Sequence, residues 1–312
     1  MKRSRYYEKK IACIGECMLE LSGKTFDQMT LSFGGDTLNT AIYLARLGQT
    51  VDYHTALGDD TYSDWMVDKW QSEGINTNSV IRMPSRLPGI YAIQTDARGE
   101  RHFHYWRDQA PARDLFSSPK AKLILEGLPQ YKLIYLSGIS ISLYNDAGRE
   151  KLSEFLKKAR AAGSLIAFDS NYRTSGWPDL VTAQSNITNF LRITDIALPT
   201  FDDDQQLFGI KDADACADYL HHLGVSEIAV KMGERGCMVS SRGSRVMVAT
   251  TPDEPIDTTG AGDSFNAAYL AKRLDGIEPK CAAAFANDLA RTVIMYPGAV
   301  IPRTAMPVRG AL

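Results

Sequence analysis

Short apolar runs alternate with stretches of helical period through most of the second half of the chain. Apolar runs lie at 131–138, 164–169, 193–199 and 227–231, and helical stretches at 146–162 and 213–223 are each followed by a glycine. Strands that alternate with helices predict a parallel sheet with helices on both of its faces. The pattern therefore predicts an α/β fold.

A parallel sheet of this kind binds its ligands beyond the carboxyl ends of its strands. The polar residues at those ends are Ser137, Asp169, Asn171, Thr200 and Lys231. We therefore expect these five side chains to lie along one rim of the sheet, and we expect the functional site there.

Two segments, 17–33 and 86–108, lack the helical period. Apolar and polar residues alternate on both sides of Asp96–Gly99, which predicts a β-hairpin with its turn at these residues. Such strands, inserted into an α/β scaffold, predict a small sheet that covers the rim as a lid. Residues 1–312 contain no internal repeat and no low-complexity linker, so we expect a single domain.

Composition narrows the class of protein. The 312 residues include 35 Lys and Arg against 37 Asp and Glu, with a net charge of -2 and 44% hydrophobic residues. This apolar fraction suffices for a sizeable core and excludes wholesale disorder. The balanced charge argues against a nucleic-acid partner, whose footprint is a basic surplus, but it does not exclude a small anionic ligand.

The chain carries no signal for a membrane or an export pathway. No apolar run approaches the roughly 18–20 residues of a membrane span. The basic N-terminus and the apolar stretch after it resemble a signal peptide, but Glu16 and Glu20 interrupt that stretch. The five cysteines are odd in number and scattered, which predicts reduced, buried thiols and a cytoplasmic location.

Residues 257–263, Asp-Thr-Thr-Gly-Ala-Gly-Asp, carry the strongest chemical signal. Two glycines followed by an apolar-periodic run describe a glycine-rich turn that enters a helix, where free backbone N–H groups bind anions. Asp263, beside that anion site, can accept a proton from an attacking hydroxyl while the amides stabilise a transferred phosphoryl group. The alternative is that Asp263 only caps the helix.

Residues 33–41, Phe-Gly-Gly-Asp-Thr-Leu-Asn-Thr-Ala, form a second motif. Gly34 and Gly35 allow backbone amides to lie against a polyhydroxylated ligand, and Asp36 and Asn39 offer acceptors and donors for its hydroxyls. The alternative is a turn that merely begins a helix over 37–48.

With these two motifs in this order, the chain resembles the PfkB (ribokinase-like) family of ATP-dependent sugar kinases over nearly its whole length. The resemblance implies a three-layer α/β/α fold with a mainly parallel central sheet and a small β-sheet lid. It implies ATP as donor, Mg²⁺, Asp263 as the catalytic base, and an anion hole at Gly260, Ala261 and Gly262. It also allows a monovalent cation such as K⁺. The sequence contains no G-x-x-x-x-G-K-[ST] pattern, so it is not a P-loop enzyme.

The hairpin indicates the class of substrate. Tyr105 and Arg107 are two residues apart in a strand and therefore point to the same face, with Tyr91 on the other arm. Arginine suits a carboxylate, which it binds through two parallel hydrogen bonds, whereas a neutral sugar gives a lid no reason to present a guanidinium. Arg173 supplies a second cation at the rim. These residues favour a sugar acid.

Within the family, the chain looks most like the members that phosphorylate the 6-hydroxyl of 2-keto-3-deoxygluconate. The resemblance implies substrate contacts from Gly34, Gly35, Asp36, Thr37, Leu38, Asn39, Tyr91, Tyr105, Arg107, Arg173, Asp257 and Asp263. The ATP contacts that it implies are Asn171, Arg173, Thr200, Lys231, Gly233, Gly236, Gly260, Gly262 and Asn287.

The chain departs from the family at the end of one strand, where many relatives carry Asn-x-x-Glu. Here Thr200 and Asp203 occupy those positions. Asp203 could act on Mg²⁺ through water, or the two residues could form a capping box, in which each side chain pairs with a backbone amide. Both interpretations stay open.

Three other possibilities remain at this point. A kinase of the same fold could act on a neutral ketose or on a nucleoside, and a non-catalytic sugar-binding regulator would be expected to lack the base. The open edges of lid strands also predict a homo-oligomer that pairs or covers them.

Overall fold

The computed structural model describes residues 10–25, 27–95 and 101–307. Its strands, in chain order, are β1 Lys10–Ile14, β2 Met18–Thr25, β3 Gln28–Gly34, β4 Thr50–His54, β5 Ala56–Gly58, β6 Ile81–Met83, β7 Ile90–Thr95, β8 Arg101–Trp106, β9 Leu133–Ser137, β10 Leu165–Asp169, β11 Ile196–Ala197, β12 Glu227–Lys231, β13 Cys237–Ser241 and β14 Ser244–Val248.

The helices alternate with these strands as predicted. In chain order they are α1 Asp36–Arg46, α2 Thr61–Ser72, α3 Ala121–Gly127, α4 Gly138–Leu143, α5 Asp146–Ala161, α6 Leu180–Leu191, α7 Phe201–Phe208, α8 Ala213–His222, α9 Ala261–Leu274 and α10 Pro279–Val293.

Eight strands form the large sheet, in the order β14-β13-β12-β11-β10-β9-β1-β4. The strands from β12 to β4 are parallel, and β13 and β14 extend the sheet by antiparallel pairing. The predicted α/β class with a mainly parallel sheet is confirmed.

Alternate residues of the parallel strands β1, β9, β10, β11 and β12 supply two separate hydrophobic cores. In β9, Ile134 and Leu136 pack with residues of α5, α6 and α8, whereas Leu133 and Tyr135 pack with residues of α1, α9 and α10. The strands are apolar on both sides because helices cover both faces of the sheet. The result is the three-layer α/β/α arrangement that the resemblance implied.

The segments predicted as a lid form the second, smaller sheet, in the order β3-β2-β7-β8. Strands β7 and β8 pair antiparallel with Tyr91 opposite Tyr105, and β2 joins β7 in parallel. The predicted turn at Asp96–Gly99 lies outside the described residues. The pairing nevertheless agrees with a hairpin whose arms are β7 and β8.

Four of the five cysteines are buried as predicted, but the prediction is wrong for Cys281. Cys13, Cys17, Cys216 and Cys237 are buried free thiols, and Cys281 is exposed. Burial raises the pKa of Cys237 to about 12, against the opposing effect of a hydrogen bond from Asn287. Within residues 10–25, 27–95 and 101–307, no helix has the length and apolar character that crossing a bilayer requires.

Candidate active site

The pairing of the parallel strands brings the predicted polar residues to one rim. Asp169, the last residue of β10, pairs with Ser137, the last residue of β9. Thr200 and Lys231 face each other across a parallel bridge at the ends of the next two strands. The rim is therefore built by strand register, as a parallel sheet requires.

The motif at residues 257–263 folds as a glycine-bounded turn at the start of α9. Gly260 is the residue before the helix and has a φ of 77°, in the left-handed region. A Cβ at this position would also lie only 2.6 Å from the carbonyl oxygen of Ala299. Both the conformation and the close approach thus require glycine, and the first N–H groups of α9 have no partner within the helix.

Asp263 lies in the first turn of α9 and joins the two motifs. Asn39 Nδ2 donates to Asp263 Oδ2 at 2.8 Å, and the Thr40 hydroxyl donates to the Asp263 carbonyl at 3.3 Å. Gly260, not Asp263, occupies the capping position of this helix. The capping interpretation of Asp263 therefore does not account for its side chain, which bonds to Asn39.

The carboxyl group of Asp263 has an unusual acidity. Burial and the negative charge of Asp36 raise its pKa to about 7, against the opposing effects of the Asn39 hydrogen bond and the Lys231 charge. A group that titrates near neutral pH can accept and release a proton under physiological conditions.

A buried polar cluster lies directly behind the anion site. Lys231 Nζ donates to Asp169 Oδ2 at 2.6 Å and to Asn266 Oδ1 at 3.0 Å. Asn266 Nδ2 in turn donates to Asp169 Oδ2 at 2.7 Å and to the Tyr135 hydroxyl at 3.0 Å. A Cβ at Gly262 would lie 3.6 Å from Lys231 Nζ, so the ammonium group stands close to the glycine turn.

Asp36 and Asn171 form a second polar pair on the rim. Asn171 Nδ2 donates to Asp36 Oδ2 at 2.9 Å. Burial and the charge of Asp169 raise the pKa of Asp36. Asn171 has a positive φ of 31°, which is uncommon outside glycine and occurs where the surroundings hold a residue in place.

The remaining residues of the motif at 33–41 divide between the site and the core. A Cβ at Gly34 would lie 2.2 Å from the Tyr91 hydroxyl, and one at Gly35 would lie 2.2 Å from the Glu16 carbonyl oxygen. Thr37 is buried and bonds to the Tyr53 hydroxyl, and Leu38 is fully buried in the core. The structure therefore places these last two side chains in the interior.

The lid and the rim enclose a cleft of about 560 Å³. Its lining includes Gly35, Asp36, Tyr105, Arg107, Arg113 and Arg173. Arg107 packs against the Tyr105 ring, with its guanidinium carbon 5.9 Å from the ring centroid. Tyr91 stacks beside Tyr105 but is buried, and its hydroxyl donates to Glu20. The expected shared face of Tyr105 and Arg107 is thus present.

Asp203 pairs with Arg173 at the edge of this cleft. Arg173 Nη1 lies 3.0 Å from Asp203 Oδ2, while burial raises the pKa of that carboxyl group. Thr200 precedes α7, but its hydroxyl makes no capping bond to the described helix. The capping-box interpretation is therefore wrong, because Asp203 turns to Arg173. The described residues also hold no group of three or more potential metal ligands.

The other predicted contacts lie in turns around the glycine motif. Asp257 accepts hydrogen bonds from the Thr259 amide at 2.9 Å and from the Gly298 amide at 2.8 Å, so it orders the loop before α9. Gly233 and Gly236 form the turn after β12, both with positive φ. Asn287 is buried in α10 and donates to the Val248 carbonyl at 3.0 Å.

Comparison with known proteins agrees with this geometry. The model of the pfkB family carbohydrate kinases matches residues 8–306. The chain belongs to the pfkB family. It is 44% identical to the 2-dehydro-3-deoxygluconokinase of Escherichia coli K12, over 96% of this chain and 99% of that one. The enzyme of the same name from Dickeya dadantii is 43% identical, over 96% and 99%.

A solved structure supports the fold. The crystal structure of a 2-dehydro-3-deoxygluconokinase from Thermotoga maritima superposes with a TM-score of 0.83, at 23% identity, over 94% of this chain and 95% of that one. The ribokinase-like fold predicted from the two motifs is thereby confirmed.

Sequence reasoning missed three residues of the site. Glu16 pairs with Arg107, Arg113 lines the cleft, and Asn266 bonds to both Asp169 and Lys231. Asn266 lies three residues after Asp263 on α9, a spacing that places it on the same side of the helix and could have indicated it. Glu16 lies two residues after β1, at the carboxyl end of a strand, and this position could have indicated that it belongs to the rim.

Replacing Lys231 with Met should destabilise the protein strongly. Truncating one partner of a buried ion pair leaves an uncompensated charge, at a cost of about 3–5 kcal/mol in the free energy of unfolding. Urea denaturation of the wild type and of Lys231→Met measures the difference. Lys158→Met removes an exposed pair with Glu154 and should leave stability nearly unchanged. Equal stability of Lys231→Met and the wild type would contradict the importance of the cluster.

Proposed function

We propose that this protein is an ATP-dependent 2-dehydro-3-deoxygluconokinase. It transfers the γ-phosphoryl group of ATP to the 6-hydroxyl of 2-keto-3-deoxygluconate and releases 2-keto-3-deoxy-6-phosphogluconate. The names of the Escherichia coli and Dickeya dadantii relatives, at 44% and 43% identity, support this proposal. The observation that carries it is that one cleft is lined by both Arg107, a cation of the lid, and Asp36. The charge of Asp36 in turn raises the pKa of Asp263, the proposed proton acceptor.

In the proposed mechanism, Asp263 takes the proton of the 6-hydroxyl as the oxygen attacks phosphorus. Its pKa of about 7 suits a base that must be ionised before the reaction and protonated after it. The amides at Gly260, Ala261 and Gly262 stabilise negative charge on the transferred group. The Lys231 ammonium behind Gly262 adds positive potential to this anion hole.

Arg107 recognises the carboxylate of the sugar acid in this proposal. Its side chain is only 20% exposed, so the ion pair with a substrate carboxylate forms in a partly desolvated environment. Tyr105 and Tyr91 support the sugar from the lid. Gly34, Gly35, Asp36, Asn39 and Arg173 complete the pocket. Asp257 acts by ordering the loop that precedes the anion hole.

For ATP we propose an electrostatic role for Lys231 and contacts from Asn171, Arg173, Thr200, Gly233, Gly236, Gly260, Gly262 and Asn287. The buried bonds of Lys231 to Asp169 and Asn266 favour an electrostatic role for it over direct contact.

Asp203 offers oxygen ligands of the type that Mg²⁺ prefers, and we propose that it acts through water. When bound, Mg²⁺ neutralises phosphate charge. A requirement for K⁺ stays a prediction.

We also propose a single-domain enzyme of the cytoplasm that forms homo-oligomers through its lid or through sheet edges. The exposed side chains of Phe103, Tyr105 and Trp106 on β8 support an association at this sheet. Neither a nucleic acid nor a membrane is among the proposed partners.

A coupled assay of ADP release across a substrate panel tests the proposed function. We expect the highest kcat/KM with 2-keto-3-deoxygluconate, and low values with neutral ketoses and nucleosides. A preference for fructose or for a nucleoside would establish the runner-up function. Sugar binding without any turnover would instead indicate a regulator.

Replacing Asp263 with Asn should abolish most turnover while sparing ligand binding. A positioned base contributes about 10²–10⁴-fold to the rate, and Asn keeps the shape of Asp without accepting the proton. The coupled assay measures kcat, and calorimetry measures binding of the sugar acid. Wild-type turnover by Asp263→Asn would rule out this residue as the base.

The activity should fall as the pH drops through the pKa of Asp263, at about 7. Asn39 stabilises the ionised form of Asp263, so Asn39→Ala should raise that pKa and shift the acid limb of kcat/KM to higher pH. The matched control is Thr40→Val, which removes a bond to the Asp263 backbone and should leave the limb in place. An unshifted limb in Asn39→Ala would contradict the assignment.

Arg107→Leu should weaken catalysis with the sugar acid far more than with a neutral sugar. Losing a desolvated partner of a charged group costs about 2–5 kcal/mol, which is read from kcat/KM. Arg86→Leu is the matched control, because Arg86 pairs with Asp114 and the Gln109 carbonyl and is absent from the cleft lining. Equal losses for acid and neutral sugar in Arg107→Leu would refute carboxylate recognition by this residue.

A further inference from the structure

Glu16 connects the rim of the large sheet to the lid. It lies two residues after β1, is only 4% exposed, and lines the cleft between lid and rim. Its Oε2 atom accepts a hydrogen bond from Nη2 of Arg107, which directly follows β8 of the small sheet. A carboxylate of the protein itself therefore holds the arginine proposed to bind the substrate carboxylate.

This pair is not built as a self-sufficient ion pair. Glu16 Oε1 and Arg107 Nε are both buried and have no hydrogen-bond partner within the described chain. A buried salt bridge contributes little net stability unless additional hydrogen bonds satisfy its remaining atoms. Unsatisfied groups of this kind indicate that stability is not the main role of the pair.

The position of Glu16 is set by its surroundings. A Cβ on Gly35, before α1, would lie 2.2 Å from the Glu16 carbonyl oxygen, and one on Gly89, before β7, would lie 3.3 Å from Oε1. Gly35 of the motif at 33–41 and Gly89 before β7 therefore both lie against this residue. Burial raises the pKa of Glu16, and the positive charges of Arg107 and Arg113 oppose this shift.

We propose that Glu16 is a positioning residue that holds the Arg107 guanidinium ready for the carboxylate of the substrate and so sets the preference for sugar acids. The inference rests on the proposed function. A guanidinium has five N–H donors, and the bond to Glu16 leaves others for a second carboxylate. Holding a long side chain in place before binding removes its ordering cost from the binding step.

The alternative role for Glu16 is competition with the substrate carboxylate for Arg107. The two roles differ in the sign of one measurement. Loss of a competitor lowers the KM for the sugar acid, whereas loss of a positioning residue raises it. The deep burial of Glu16 and the 20% exposure of the Arg107 side chain favour the second role, because a ligand can approach Arg107 without displacing Glu16.

The test compares Glu16→Gln with the wild type. Loss of a charged hydrogen bond predicts a KM for 2-keto-3-deoxygluconate raised about tenfold. We expect kcat, and the KM for a poor neutral substrate such as fructose, to change less than about twofold, since neither depends on the guanidinium position. The matched control is Glu227→Gln, which breaks another buried Glu–Arg pair, with Arg273, and should leave KM unchanged.

A double-mutant cycle separates positioning from a purely structural role. In an Arg107→Leu background, Glu16→Gln should have no further effect on the KM for the sugar acid, because its effect passes through Arg107. Glu16→Asp, which withdraws the carboxylate by one methylene, should also raise KM and serves if Glu16→Gln fails to fold.

Three results would overturn the inference. They are an unchanged or lowered KM for the sugar acid in the folded Glu16 variants, an equal rise for acid and neutral sugar, and an additive effect in the Arg107→Leu background. A wild-type protein that does not phosphorylate the sugar acid would overturn the proposed function, and this inference with it. Failure of the inference alone leaves wild-type turnover intact.

Discussion

The hydrogen bond between Asn39 and Asp263 is the contact on which the rest of the site depends. The two residues are 224 positions apart, and the bond joins the first turns of α1 and α9, whose apolar sides share one core on the same face of the sheet. The bond thus holds the N-terminal turns of both helices together beside the rim of the sheet. The Asn39–Asp263 bond therefore fixes the position of the anion site relative to the proposed sugar site.

The site brings three negatively charged groups close together, and the buried cluster around Lys231 compensates one of them. Burial raises the pKa of Asp36 and of Asp263. The negative charge of Asp169 raises both pKa values further, and the charge of Asp36 also raises that of Asp263. Asp169 is compensated directly by Lys231 and by the Asn266 amide. The site thus keeps one carboxylate paired and leaves another poised near neutral pH, although the whole chain has a net charge of only -2.

Much of the fold could be predicted because its signals are local. The apolar run at 227–231 is β12 with the same bounds, and the helical stretch at 146–162 is α5, Asp146–Ala161. The glycines at 260 and 262 also marked a helix N-terminus correctly. The role of Asp203 could not be predicted, because its carboxylate suits both a capping box with Thr200 and an ion pair with Arg173. Only the position of Arg173 in the folded chain decides between these two arrangements.

By itself, the sequence determined the alternation of strands and helices, the position of the rim and the membership of a family of carbohydrate kinases. These properties follow from periodicity and from motifs within a few residues. The tertiary structure alone decided that Glu16 holds Arg107, that Asn266 supports Lys231, and that Leu38 lies in the core rather than at the site. Each of these depends on the distance between side chains far apart in the chain, which packing sets and local pattern does not encode.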